Sequence, residues 1–231
     1  MFIPRFSKSV IAGSLMCAAS FAWALSLADV SNKDATSGVK AALEKGATIA
    51  VGKLGVENGF LNNDKVKIGM PASIEKAMPL LRMTGQGKKI DELQVSMNHA
   101  AESAVSLAKP MLLDAVKSMS VSDAKNILTG GETSVTDFFR QKTATPLSAK
   151  FLPVLKKIKD GNGLSSKYNS VMGKASSSGL VSKEEATVET YVTQRALDGL
   201  YTIIAEEEKA IRADPIGTGS AILGKVFGAM K

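Results

Sequence analysis

Apolar residues recur at three- and four-residue steps along most of the chain, a spacing that places side chains on one face of an α-helix. The clearest run predicts a helix over residues 188–213, which Pro215 ends. A long helix from Lys88 meets Pro110, which kinks or restarts it, and Ser122 is expected to cap a short helix ending at Gly130. The remaining predicted helices cover residues 39–54, 71–83, 133–142, 146–159, 165–174 and 222–227.

One stretch, residues 59–68, departs from the helical pattern. Its Asn and Asp residues suit a turn, and Val66 and Ile68 then alternate with Lys65 and Lys67 as in a short extended segment. No alternation of strands and helices and no internal repeat accompanies it. The pattern therefore predicts an all-α, compact, bundle-like domain of roughly eight helices, with one short extended segment near residues 65–69.

The first residues have the pattern of a secretory signal peptide. Arg5 and Lys8 precede an apolar run over residues 10–21, and Ala22-Trp23-Ala24 has small residues at the two positions that a signal peptidase reads. We therefore expect residues 1–24 to be cleaved, leaving one all-helical domain over residues 25–231 in the periplasm or outside the cell. Met16 disfavours a lipoprotein signal at Cys17, because such a signal requires a small residue directly before the Cys.

Composition excludes several classes of protein. With 45% hydrophobic and 22% charged residues the chain is too apolar to be disordered, and no later run is long enough to span a bilayer. Cleavage would remove the single Cys and the single Trp, so the mature chain would have no disulfide and no thiolate ligand. Loss of Arg5 and Lys8 would lower the net charge from +7 to +5. Export would put nucleic acid, the usual partner of a basic protein, out of reach.

Several longer segments together resemble the family of exported, helical bacterial proteins catalogued as domain of unknown function 4197. The resemblance covers nearly the whole mature chain, and implies an exported helical protein without implying an activity or any catalytic residue. The segments that carry it are Phe60-Leu61-Asn62-Asn63, Lys65-Val66-Lys67-Ile68, Gly85-Gln86-Gly87, Ser96-Met97-Asn98, Ala100-Ala101-Glu102, Ala108-Lys109-Pro110, Ile127-Leu128-Thr129-Gly130-Gly131, Phe138-Phe139-Arg140, Tyr191-Val192-Thr193-Gln194, Ala196-Leu197-Asp198-Gly199-Leu200, Ala205-Glu206-Glu207-Glu208-Lys209 and Ile211-Arg212.

The C-terminal helix carries the first candidate for a functional group. Glu207 lies four residues after Ile203 and four before Ile211, which places it on or beside the apolar stripe. A carboxylate there is costly unless it is paired or neutralised, so Glu207 is either a ligand-binding group or a core-edge group paired with a Lys or Arg of another helix. Glu208 and Arg212 have the spacing of a surface ion pair.

The remaining candidates are polar residues on the other helices. Arg140, Asn98, Glu102 and Arg212 join Glu207 as candidate ligand-binding residues, and Asn98 is expected to tie the 60s loop to the long helix. His99 is the single His and lies three residues from Glu102, but a zinc site would need further ligands from carboxylates alone, so we expect a solvated side chain. The pattern predicts no catalytic residue, metal or cofactor.

The predicted helix over residues 146–159 is basic and amphipathic. Its apolar stripe consists of Phe151, Val154, Leu155 and Ile158, and the lysines mostly lie away from that stripe: Lys150, Lys156, Lys157 and Lys159. Such a helix either lies on an anionic membrane surface or packs in the core with its lysines in solvent.

Two functional hypotheses follow. The first is a non-enzymatic periplasmic binding or interaction module whose partner is an envelope protein, a small ligand or an anionic membrane surface. The second is a carboxylate-based or divalent-metal-dependent enzyme that uses Glu207 with Glu102, His99 or Arg140. Convergence of these side chains on one pocket would favour the enzyme, and their separation would favour the binding module.

Overall fold

A computed structural model of the chain describes residues 31–83, 85–162, 166, 168 and 187–214. Within these residues the chain forms seven α-helices and no β-strand, which confirms the predicted all-α fold. Residues 1–24, the predicted helix over 222–227 and nearly all of that over 165–174 lie outside the described residues. The helices are α1 (Asn32–Leu54), α2 (Ala72–Met83), α3 (Gly87–Val105), α4 (Lys109–Lys117), α5 (Val121–Thr129), α6 (Ser134–Asn162) and α7 (Val188–Ala213).

Helix α7 is the centre of the fold and packs against α1, α3 and α6. The Thr187 side chain caps its first turn by accepting a hydrogen bond from the Thr190 amide, and the helix ends at the predicted residue. The predicted apolar stripe on α7 is confirmed. Its members are buried in the common core: Ala196, Leu200, Ile203, Ile204 and Ile211. A side chain on α7 therefore reaches three other helices, depending on its position around the helix.

Helix α5 begins two residues before the predicted start. Ser120, not Ser122, is the N-cap: its hydroxyl accepts from the Asp123 amide at 3.1 Å, while the Asp123 carboxylate accepts from the Ser120 amide at 3.0 Å. This reciprocal pair satisfies two amides at once, so it defines the helix end better than Ser122 alone. Ser122 is exposed within the first turn.

Helix α6 runs without a break through the two segments predicted as separate helices over residues 133–142 and 146–159. Pro146 and Pro153 lie inside it and deprive the carbonyls of Lys142 and Ala149 of their usual donors. All four residues are on the exposed side of the helix. Solvent therefore satisfies the freed carbonyls, and the buried face continues past both prolines.

The basic helical segment within α6 is part of the core. Phe151 and Leu155 of its apolar stripe are fully buried, and Lys150, Lys156 and Lys157 are exposed. These two positions favour the packed-helix alternative, since Phe151 and Leu155 are not available to a membrane surface. Val154 is half-buried, and the Ile158 side chain lies outside the described residues. Among the described residues, no helix combines the length and the apolar character needed to cross a bilayer.

Candidate functional site

Glu102 of α3 holds the turn that follows α1. The carboxylate is buried and accepts three backbone hydrogen bonds, from Asn58 at 3.1 Å, Phe60 at 3.0 Å and Leu61 at 3.2 Å. Asn58 has a φ of 63°, a left-handed conformation in the turn whose amides converge on this acceptor. All of these contacts are within the protein, so Glu102 acts as the internal acceptor for this turn.

Asn98 lies one turn before Glu102 on α3 and holds the next part of the same connection. Its Oδ1 accepts from the Ile68 amide at 2.8 Å, and its Nδ2 donates to the Ile68 carbonyl at 2.9 Å. The buried amide thus replaces the partner strand that Ile68 would have in a sheet. The predicted tie between the 60s loop and the long helix is confirmed. The segment that the sequence predicts to be extended forms no strand, since residues 67–71 have no regular secondary structure.

In the last turns of α7, Glu208 and not Glu207 is the buried carboxylate. Its side chain is 1% exposed and accepts from the Val135 and Thr136 amides, both at 3.0 Å, at the first turn of α6. The Thr136 hydroxyl and the Arg212 guanidinium complete its partners, the latter at 2.9 Å. The predicted surface pair of Glu208 and Arg212 is therefore a buried helix cap, because the N-terminus of α6 packs directly against this part of α7.

Glu207 lies at the edge of the core, with 12% of its side chain exposed, and pairs with Lys53 of α1 at 2.6 Å. This is the structural alternative that the sequence left open for it. Arg140 lies elsewhere, with its guanidinium 4.7 Å from the centre of the Tyr201 ring and 3.7 Å from Asp198. Burial raises the pKa of the Tyr201 hydroxyl, which forms a hydrogen bond with the Thr143 hydroxyl at 2.9 Å.

The five candidate residues therefore do not share one site. Asn98 and Glu102 hold the connection after α1, Arg212 belongs to the α6 cap, and Glu207 and Arg140 each have a separate partner. His99 lies 3.3 Å from the Asn58 side chain, beside Glu102, in a shallow depression. Among the described residues, no group of three or more His, Cys, Asp or Glu side chains is arranged to hold a metal ion.

A polar groove between the connection after α1 and α7 is the feature that sequence reasoning missed. It has a volume of about 290 Å³, and we call it the α7 groove. Gly199 of α7 allows its formation, since a Cβ there would lie 2.6 Å from the Phe60 ring and 3.2 Å from Val66. Its polar lining consists of Lys65, Lys67, Glu75, Tyr191, Arg195, Asp198 and Thr202.

The α7 groove contains two cations that form no ion pair within the described residues, Lys67 and Arg195. The Arg195 guanidinium lies over the Tyr191 ring, 5.4 Å from its centre, and the Tyr191 hydroxyl donates to the Gly69 carbonyl at 3.1 Å. The ring thus orients the guanidinium without using its hydrogen-bond donors. Lys65, by contrast, is paired with Glu206 at 2.5 Å.

The position of these cations depends on tertiary contacts that no local pattern contains. Lys67 belongs to the alternating segment near Val66, whereas Arg195 is distant from it in sequence. The two cations line one groove only because Gly199 lets the connection after α1 approach α7. A basic residue opposite an apolar stripe is otherwise read as a solvated surface residue.

Comparison with known proteins identifies one family. A family model described as "Protein of unknown function (DUF4197)" matches residues 29–228, which confirms the resemblance drawn from the sequence motifs. The curated proteins and the solved structures contain no match to this chain.

Proposed function

Since the chain belongs to the DUF4197 family of proteins of unknown function, we propose from its structure that it is a non-enzymatic binding module that holds a small anionic ligand in the α7 groove. We further propose that it works in the periplasm or outside the cell. The leader pattern of residues 1–24 supports export, and the family match begins at residue 29, just after the expected cleavage site.

The observation that carries the proposal is the pair of uncommitted cations in a preformed groove. Arg195 retains its forked donors, which match the two oxygens of a carboxylate or phosphate, and Lys67 adds a second positive charge. The walls are held in place by Asn98, Glu102 and Tyr191, so a ligand need not order them on binding.

The size and charge of the α7 groove define the ligand class. A volume of 290 Å³ is at the lower end of the range for small-molecule sites, about 300–1,000 Å³. Glu75 and Asp198 also line the groove, so the excess of positive charge is small and favours one or two anionic groups rather than a polyanion. We expect a small carboxylate or phosphate compound.

The carboxylate enzyme is disfavoured because its residues already have structural partners. Glu207 is bonded to Lys53, Glu102 accepts three backbone amides, and Arg140 stacks on Tyr201. A general base or nucleophile must approach substrate, and using Glu102 in this way would require it to leave the amides that it holds.

Calorimetric titration with inorganic phosphate and the dicarboxylate succinate tests this proposal. We expect binding to the full chain that weakens about tenfold or more in Arg195→Gln, because a charge-assisted, forked interaction is lost. Lys67→Gln should weaken binding less. Lys125→Gln is the matched control, since it removes the same charge from exposed α5 outside the groove.

Two results would contradict the proposal. One is that neither probe binds the full chain. The other is that Arg195→Gln and Lys125→Gln weaken the binding of a probe to the same extent. Recovery of the ligand after prolonged incubation separates binding from catalysis. NMR should show succinate unchanged, and its conversion by wild-type protein but not by Glu207→Gln would restore the enzyme hypothesis.

A further inference from the structure

The C-terminal end of α2 exposes the two most accessible large apolar side chains in the described part of the chain. Met83 is 85% exposed and Leu80 is 64% exposed. The other side of the same helix faces the core through buried Ile74 and half-buried Met78 and Leu81. Helix α2 is therefore anchored along one side, while its opposite side presents apolar side chains to the surroundings.

Cations flank these exposed side chains along the chain. Arg82 of α2 and Lys88 and Lys89 of α3 are all exposed, and no carboxylate occurs between residues 80 and 89. The first acid beyond them, Asp91, pairs with Arg82 at 2.8 Å. We call the group Leu80, Arg82, Met83, Lys88 and Lys89 the α2–α3 tip.

The backbone holds the ends of the two helices together at the α2–α3 tip. The Gly85 amide donates to the Arg82 carbonyl at 3.1 Å, and the Gln86 amide donates to the Leu81 carbonyl at 2.9 Å. Gly85 has a φ of 79°, which glycine adopts without strain, so the chain reverses sharply. This reversal brings the lysines at the start of α3 next to the apolar end of α2.

We infer that the α2–α3 tip docks on the surface of an anionic lipid bilayer. Leu80 and Met83 enter the boundary between head groups and acyl chains, while Lys88 and Lys89 contact the lipid phosphates. The inference is independent of the ligand of the α7 groove. It assigns membrane contact to α2 and the start of α3, not to the basic segment of α6, where Phe151 and Leu155 are buried.

The small size of the apolar area favours a bilayer over a protein partner. A stable protein interface buries about 800 Å² on each partner, which is far more than two exposed side chains supply. Shallow insertion into a bilayer requires only a few apolar groups when neighbouring cations add electrostatic attraction. The absence of acids from residues 80–89 matches a negatively charged surface.

Vesicle flotation tests the inference with the full chain. Vesicles of phosphatidylcholine alone are compared with vesicles that contain about one third phosphatidylglycerol, at low salt and in about 1 M salt. We expect binding to the anionic vesicles that decreases at high salt. Any contribution from residues 1–30 is the same in wild type and variants, so their difference isolates the α2–α3 tip.

Two double variants probe the apolar and cationic parts separately. Leu80→Ser with Met83→Ser should lower partitioning about tenfold or more, through loss of apolar burial. Lys88→Gln with Lys89→Gln should lower it about tenfold or more on anionic vesicles only, at about fivefold per charge. Val121→Ser with Lys125→Gln is the matched control on α5, where Val121 is 47% exposed, and should change partitioning less than about twofold.

Other outcomes would overturn the inference. Equal flotation of wild type and the Leu80/Met83 double variant would exclude the tip as the contact. Dimeric wild type and a monomeric double variant in light scattering would show that a second copy covers this face. As an independent readout, an environment-sensitive dye on Met83→Cys, in a Cys17→Ser background, should shift to the blue on anionic vesicles; an unshifted signal there contradicts the inference.

Discussion

Glu102 and Glu208 are both buried carboxylates that accept backbone amides, but their surroundings differ in one respect. Glu208 has a cation, Arg212, at 2.9 Å and caps the first turn of α6. Glu102 has three amide donors and, within the described residues, no ion pair, and it borders a shallow surface depression that also contains His99 and Ser103. The Glu208 carboxylate is therefore paired with a cation. The Glu102 carboxylate is held by neutral amide donors alone, with solvent close by.

The difference indicates what each carboxylate does for the fold. Oriented amides suffice to hold the charge of Glu102 where water is near, whereas an enclosed carboxylate such as Glu208 needs an opposite charge as well. Glu102 therefore determines the path of one connection. Glu208 joins two helices that are distant in sequence, so its removal affects the whole core.

The largest effect is expected for Glu208→Ala, which should lower the free energy of unfolding by about 3–5 kcal/mol. The substitution removes the acceptor of the Val135 and Thr136 amides and the carboxylate partner of Arg212, which keeps its bonds to the Ile127 carbonyl and the Ser134 hydroxyl. Urea unfolding followed by circular dichroism measures it. Neighbouring Glu207→Ala is the control and should cost less than about 1 kcal/mol, since its partner Lys53 is largely exposed. Equal losses in both variants would remove the distinction between the two glutamates.

Glu102→Ala should cost less, about 2 kcal/mol, because nearby solvent can replace part of what the amides lose. The loss should be local. Amide hydrogen exchange at Asn58, Phe60 and Leu61 should accelerate more than exchange in α6, whereas Glu208→Ala should accelerate exchange in both regions. Unchanged protection of those three amides would mean that Glu102 does not hold the turn.

Thr193 shows the opposite situation, a buried hydroxyl that has no hydrogen-bond partner among the residues that the structure describes. Thr193→Val should therefore raise the free energy of unfolding by about 1 kcal/mol, because an unsatisfied polar group is replaced by a methyl group of similar shape. Thr143→Val is the matched control, since that hydroxyl bonds Tyr201 and the Phe139 carbonyl. The melting temperature of Thr143→Val should fall and that of Thr193→Val should rise. A fall in both variants would mean that the Thr193 hydroxyl has a hydrogen-bond partner.

The smallest effect concerns Asp123, a partly exposed carboxylate that caps α5. Hydrogen bonds from the Ser120 amide and hydroxyl lower its pKa below the usual 3.8. Its stabilisation is therefore present above about pH 4 and is lost as the pH falls through the lowered value. Asp123→Asn should cost about 0.5–1 kcal/mol at pH 7. Urea unfolding at several pH values should show this difference closing in acid; a difference independent of pH would exclude the carboxylate as its source.

The sequence predicted those parts of the fold whose signals are local. Helix α7 has an apolar stripe, a capping Thr187 and a following Pro215, and its predicted ends match the structure. Pro146 was misleading because a proline on an exposed helical face is tolerated when solvent reaches the freed carbonyl. Ser122 was misleading because the Ser120–Asp123 pair satisfies more amides.

The roles of the polar residues were harder to predict, because tertiary contacts decide them. Glu207 and Glu208 are adjacent and both lie near the stripe, and only the approach of α6 distinguishes them. Asn98 was predicted correctly, since a side-chain amide on a core-facing position requires a partner. Arg195 gave no such signal. It lies near Lys67 only because Gly199, on the same helix as Arg195, lets the distant connection after α1 come close.

The way in which the connection after α1 is held also limits how its length can vary. Most surface loops tolerate insertions, because their ends are fixed and their middle is free. Here Phe60 and Ile68 are each bonded through the backbone to a different turn of the same rigid helix. The number of residues between them therefore matches the distance between Glu102 and Asn98. An added or missing residue would move one of these amides away from its acceptor. The number of residues between Phe60 and Ile68 is therefore fixed by the helix that holds them.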